Sequence, residues 1–408
     1  MQEQTSVSRY RVTAIWSQVD YSHGPMAISE MSFQFAASLK SLFSLIALLS
    51  ASTLTYADEA QEVHQSGSAN DAFLNSLASK DERQASQAIL LARSHGTPST
   101  TVAWRLVEIV DSDRSDYLRS IAAAAVGELC PVSDSAAVAK SAVQWLRSDR
   151  SPWVREGAAI SLGRLKQDYD ELVSTLIEGT KDVDPNVRFA SYISLGTKRQ
   201  RAGMILETLQ EGILDRSRAR YAISQSFFAQ RAVAIGAITS LGLCGKSAES
   251  SLPQLLLLLR DEDQEIGVAA CTAAARISDD SSVHLRIETA LVPFLEVKED
   301  SPFEVNTCYE ALKCLAILKA PARSSTRTTS VEKVLRLLQN HELQIYNPDF
   351  TIAIAGAIKH FGGSAETCLP SLRSVRVETD SAEAAKAIQD AIDTIEKSVA
   401  EARIPADH

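Results

Sequence analysis

The side chains best suited to hold a metal or move a proton near neutral pH are seven histidines: His23, His64, His95, His284, His341, His360 and His408. They stand singly. None has the His-Glu-x-x-His or His-x-His spacing that aims two imidazoles at one ion, so a metal centre has no support. The chain also lacks a Gly-x-Ser-x-Gly nucleophile elbow and a Gly-rich phosphate loop. Phe361-Gly362-Gly363-Ser364 is a small glycine cluster, but it falls between two expected helices and reads as a helix-ending turn. The expectation is a chain with no catalytic residues, no cofactor and no metal.

Six cysteines (Cys130, Cys244, Cys271, Cys308, Cys314, Cys368) fall inside or at the ends of expected helices, unlike the loop cysteines of stapled secreted folds. Cys308 and Cys314 are six residues apart on one helix, which separates them by about 9 Å along the axis. That exceeds the ~7 Å limit on the Cα separation of a disulfide. Buried free thiols are expected, with Cys244–Cys271, in adjacent units, the one cross-link to test. Charge is the other concentration: Lys198, Arg199 and Arg201, then Arg216, Arg218 and Arg220, with Arg231 beyond. In a chain of net charge −10 this suggests a patch for an anion or an acidic partner, with Arg199, Arg201, Arg216, Arg218 and Arg220 as candidate partner-binding residues. The alternative is a solvated helix face balanced by Glu207, Glu211 and Asp215.

Whatever these side chains do, helices must position them. The composition is 45% hydrophobic, 23% charged and only 6% aromatic, with Gly and Pro sparse among many Ala and Leu, which favours close-packed helices over sheet. Net negative charge repels phosphate backbones, so nucleic acid is not an expected partner. From Met31, Lys40 precedes an apolar stretch Leu42–Ala51, then small residues lead through Thr55-Tyr56-Ala57 to Asp58 and Glu59. This is the layout of a secretory signal peptide over 31–57 with cleavage near Ala57, which predicts export to the periplasm or beyond. The run is too short for the roughly 20 residues of a bilayer span. Residues 1–30 read as an extension, translation starting at either Met1 or Met31; 58–68 reads as a linker, 69–398 as the folded region and 399–408 as a tail.

Internal repeats define that region. Ser151–Gly163 aligns without a gap to Gln230–Gly242, sharing Val154/Val233, Gly157/Gly236, Ala158/Ala237, Ser161/Ser240, Leu162/Leu241 and Gly163/Gly242. Asp184–Gly196 aligns in the same offset with Asp263–Ala275, pairing Val187 with Ile266. The anchors Val154, Val187, Val233 and Ile266 are thus spaced by 33, 46 and 33 residues, periods that mean stacked two-helix units. Upstream of each anchor runs an apolar helix often entered through a proline, as at Leu252-Pro253, Val292-Pro293 and Leu369-Pro370. An Asp-rich turn follows, able to cap the second helix. That helix carries apolar residues three and four apart, such as Val154, Ala158, Leu162 and Leu165.

A helix, an Asp-Pro-type turn and then Val-Arg-x-x-Ala-x-x-x-Leu-Gly resembles HEAT repeats, particularly the short bacterial, phycobilisome-lyase-like kind. The best matches are Asp184-Pro185-Asn186-Val187-Arg188 through Leu195-Gly196, and Pro152-Trp153-Val154-Arg155 through Leu162-Gly163; Gly267 departs from the pattern where Arg is usual. The resemblance implies an all-α, right-handed α-solenoid of about eight to nine antiparallel helix pairs. Units fall at roughly 69–95, 99–130, 134–166, 168–198, 201–244, 248–278, 281–320, 328–363 and 365–398. The recurrent Arg119, Arg155 and Arg188 are expected to pair with Asp of the neighbouring turn. For function the expectation is a non-catalytic exported scaffold that binds another protein, its partner and oligomeric state open. The alternatives are an accessory module of an exported, sulfatase-like hydrolase, and a bilin lyase, which export disfavours.

Overall fold

The structure is a computed structural model that describes residues 67–95, 97–167, 169–220, 230–297, 302–319, 325–340 and 348–403. The expected signal peptide, and with it Met31, Lys40 and Ala57, lies outside the described residues.

Nine helix pairs follow one another among the described residues. They are α1 (Gly67–Ala78) with α2 (Glu82–His95), α3 (Thr100–Val110) with α4 (Asp116–Leu129), and α5 (Ser135–Ser148) with α6 (Pro152–Arg164). Next come α7 (Asp170–Gly179) with α8 (Pro185–Thr197), α9 (Ala202–Gly212) with α10 (Val233–Cys244), and α11 (Leu252–Leu258) with α12 (Gln264–Ile277). The last are α13 (Ser281–Leu291) with α14 (Pro302–Ile317), α15 (Ser325–Gln339) with α16 (Pro348–Phe361), and α17 (Leu369–Glu378) with α18 (Ala382–Arg403). The fold is an all-α solenoid.

Local chemistry starts and stops these helices. Asp184 caps α8 by accepting from the Asn186 N–H, and Asp263 caps α12 by accepting from Glu265 and Ile266. The four anchors Val154, Val187, Val233 and Ile266 are all fully buried. Gly362 ends α16 at φ +53 and Gly245 ends α10 at φ +55, a left-handed turn that glycine makes without steric cost. One expected proline position is different. Pro253 and Pro370 do sit in the first turns of α11 and α17, but Pro293 lies in a 3-10 turn, Val292–Leu295, after α13 has ended. Having no N–H to continue the α pattern, it marks an exit there rather than an entrance.

The second helices form one continuous layer, α4, α6, α8, α10, α12, α14, α16 and α18 each packing on the next. Their spacing is set by missing side chains. A Cβ on Gly163 would come 2.5 Å from Ser194 Oγ, one on Gly196 2.5 Å from Ser240 Oγ, and one on Gly242 2.9 Å from Ala273 Cα. First helices meet their counterparts much more sparsely. Close approach on one side and splay on the other bend the stack, with the second helices on its concave face.

The unit with the long spacing contains the only strands among the described residues, a two-stranded antiparallel ribbon of β1 (Arg218–Arg220) and β2 (Gln230–Ala232). Ala219 faces Arg231 across it. Three residues a side give a ribbon too small to register as alternation in the sequence, and it leads directly into α10.

Candidate docking groove on the second-helix face

The arginines come first, because they were the sequence's own candidates. Each of the three recurrent ones clamps two turns. Arg119 Nε donates to Val110 O of its own turn while Nη2 bonds Asp149 of the next. Arg155 donates to Asp149 O at 3.0 Å and to both oxygens of Asp182 at 2.7 and 2.8 Å. Arg188 donates to Asp182 O at 2.8 Å and to Asp215 at 2.8 Å. The accepting aspartates also receive the N–H of Ser151, Asp184 and Ser217, so one carboxylate shapes its turn and takes the arginine.

The fifth unit breaks the motif, Ala234 standing where Arg follows Val154 and Val187. Arg216 supplies the missing rung. Its guanidinium meets Asp261 at 3.0 and 2.8 Å, and Arg218 meets Asp263 at 2.7 Å. Arg216 and Arg218 are committed to aspartates, and Arg201 lies 3.1 Å from Asp170. Arg199 and Arg201 form a 3-10 turn before α9, whereas Arg216 and Arg218 follow α9, so roughly 16 Å of helix stands between the two groups. The side chain of Arg220 lies outside the described residues.

A different surface has the form of a binding site. On the concave face, α10, α12 and α14 enclose a groove of about 250 Å³. Its floor is α12, where Ala269, Thr272 and Ala273 are short. Longer side chains rise around it: Arg231 from β2, Arg276 at the end of α12, and Glu310 and Lys313 from α14. Glu265 closes one end, its side chain 7% exposed. Its Oε1 lies 3.6 Å from Arg231 Nε, while Oε2 is buried without a hydrogen-bond partner. Burial raises the pKa of this carboxyl, against the opposing pull of Arg231. Lys313 reaches Glu310 at 3.1 Å and sits 5.0 Å over the Tyr309 ring, whereas Arg276 stands exposed. The sequence signal for this groove was a run of small residues, Ala269 to Ala275, between helices with long polar ones; only the stacking register makes it a depression.

The remaining chemically capable residues are structural in their contacts. His284 accepts the Lys319 N–H on Nδ1 at 2.9 Å and donates from Nε2 to Ser278 O at 2.8 Å. His360 Nδ1 bonds Leu318 O at 2.8 Å, and its Nε2 lies 4.0 Å from Glu288, a buried carboxylate 3.6 Å from Arg327. All six cysteines are buried and unbridged. Burial pushes the Cys308 and Cys314 thiols up to about 12 and Cys368 up to about 11. Burial likewise raises the Cys271 thiol well above its ordinary value. No group of three metal-capable side chains occurs among the described residues.

Concave groove, Arg–Asp rungs and stacked pairs define a helical-repeat scaffold. Residues 139–226 match the model of the family described as HEAT repeats. No curated protein matches the chain. Among solved structures it is similar to the complex of CpcE and CpcF of phycocyanin lyase from Nostoc sp. PCC7120, at 18% identity and a TM-score of 0.40, covering 74% of this chain and 97% of that one. An engineered protein is similar at 17% identity and a TM-score of 0.40, covering 83% and 93%. Kap121p bound to Nup53p is similar at 16% identity and a TM-score of 0.48, covering 81% of this chain and 36% of that one.

Proposed function

We propose that this chain is a non-catalytic, exported scaffold that holds another protein against its concave face, with the groove between α10, α12 and α14 as the seat. The observation that carries the reading is the groove itself: a floor of small side chains, charged walls, and a buried carboxylate oxygen of Glu265 left without a donor. A partner that supplies that donor recovers the free energy the unpaired atom costs, about 1–3 kcal/mol. A stack of rigid pairs also presents this surface already formed, so association orders little of the scaffold. Export rests on the signal-peptide layout of residues 31–57.

The test is affinity capture from the native envelope fraction with immobilised chain 58–408, run beside the Arg276→Glu/Lys313→Glu variant. Both side chains are exposed or half-exposed, so the variant is expected to fold, which circular dichroism checks. A partner retained by the parent and lost by the variant supports the seat. An identical set of captured proteins from both would remove it.

A further inference from the structure

The groove also carries a statement about the chemistry of what it holds, which rests on the docking reading above. We infer that it takes an extended polypeptide segment presenting an acidic side chain, with the carboxylate received by Arg276 and Lys313 and an N–H of the same segment donated to Glu265.

Three cations, Arg231, Arg276 and Lys313, line the groove against two carboxylates, Glu265 and Glu310, in a chain whose net charge is −10. The groove is therefore a positive island on an acidic molecule, and an acidic ligand is steered toward it and away from the rest. Two of these cations have internal company: Arg231 stands beside Glu265 and Lys313 beside Glu310. Arg276 projects from the end of α12 over the groove, and a guanidinium fork matches a carboxylate bidentately.

Size favours a side chain over a nucleotide. Small-molecule and cofactor pockets run to roughly 300–1,000 Å³, and this space is about 250 Å³ and open on one side. A side chain entering from a segment laid across the helices fits; a nucleotide does not. The second determinant, Glu265 Oε2, has no donor within the chain, and a backbone N–H of the segment provides one.

The experiment titrates chain 58–408 into fluorescein-labelled octapeptides of matched length, one rich in Asp and Glu, one with the corresponding amides, and one rich in Lys and Arg, read by anisotropy. The acidic peptide is expected to bind at least tenfold tighter than the amide peptide, with affinity falling as salt rises. Arg276→Glu should abolish the preference and Arg276→Lys should keep part of it, since charge survives but the fork does not. Glu265→Gln should retain acidic binding. Equal binding of the amide or basic peptide, or an unchanged acidic preference in Arg276→Glu, overturns the inference. Loss of a captured envelope partner in Arg276→Glu/Lys313→Glu, together with no acidic preference here, would leave the docking seat standing and remove only its assigned chemistry.

Discussion

At the scale of single residues, Glu156 is the side chain most at odds with its surroundings. Counting two residues beyond each anchor, the other second helices place Phe189, Ile235 and Val268 where α6 places Glu156. The site is an apolar one. Its carboxyl is accordingly 3% exposed, with Oε2 lacking a partner, and burial, reinforced by the charge of Asp184, pushes its pKa from 4.5 up to about 8. The direction of the linkage follows. Between these two values the unfolded chain has lost the proton that the folded chain still holds, so raising the pH favours unfolding. Stability is level below about pH 4.5, falls up to about pH 8, and is level above. The whole interval is worth ~5 kcal/mol at most, from ~1.4 kcal/mol per pH unit. Glu156→Gln should flatten this slope and raise the melting temperature at pH 9 well above the parent's. Equal melting of parent and variant at pH 9 would dispose of the buried-acid account. The anomaly was legible beforehand, since aligning the anchors sets Glu156 against three apolar residues. The state of Glu265 was not, because its charge partner Arg231 comes from β2, and no local period announces that ribbon.

At the scale of elements, two interlocking devices hold neighbouring pairs in register, and they were unequally visible. The Val-Arg motif made the rungs from Arg119, Arg155 and Arg188 readable, since the accepting aspartates recur about one turn-to-turn period later. The rung from Arg216 to Asp261 was hidden, because it crosses 45 residues from an insertion that no other repeat unit contains. The sequence offered Arg216 and Arg218 as patch candidates, and their bonds to Asp261 and Asp263 extend the ladder. The glycine ladder is the second device, and a pair of substitutions separates its packing role from helix propensity. Gly196→Ala sets a Cβ 2.5 Å from Ser240 Oγ and 2.9 Å from Ser240 Cα, and that serine is itself pinned by donating to Tyr192 O at 2.6 Å. Overpacking of this kind costs ~1–3 kcal/mol, which outweighs the ~1 kcal/mol that Ala gains over Gly in a helix. Gly203→Ala in α9 meets nothing within 4 Å and should keep the propensity gain. Urea melts should move the two midpoints in opposite directions. Movement of both the same way would mean that propensity, not spacing, governs the second-helix layer.

At the scale of the whole molecule, the consequence of stacking is that stability is local. Every second helix packs on the one before and the one after, and the rungs join adjacent turns only, so no contact ties α6 to α16 or α18. Such a molecule behaves as a row of units coupled to their neighbours rather than as one cooperative globule. Arg155→Ala tests this. It leaves the Asp182 carboxylate and Asp149 O without their guanidinium partner, at positions only 13% and 12% exposed for the two side chains, so about 1–3 kcal/mol is lost at one junction. Hydrogen exchange followed by mass spectrometry should show faster exchange across α5 to α8, where opening now costs less. Peptides from α16 to α18 should keep the parent's protection, because nothing between them and the damage has changed. The groove at α10, α12 and α14 lies beyond the damaged junction and should also hold, which makes acidic-peptide binding by Arg155→Ala a second readout of the same independence. Uniform loss of protection along the chain would instead mean a single cooperative unit, in which case the pairs could not be treated as separable parts and the groove could not be tested apart from the stack that carries it.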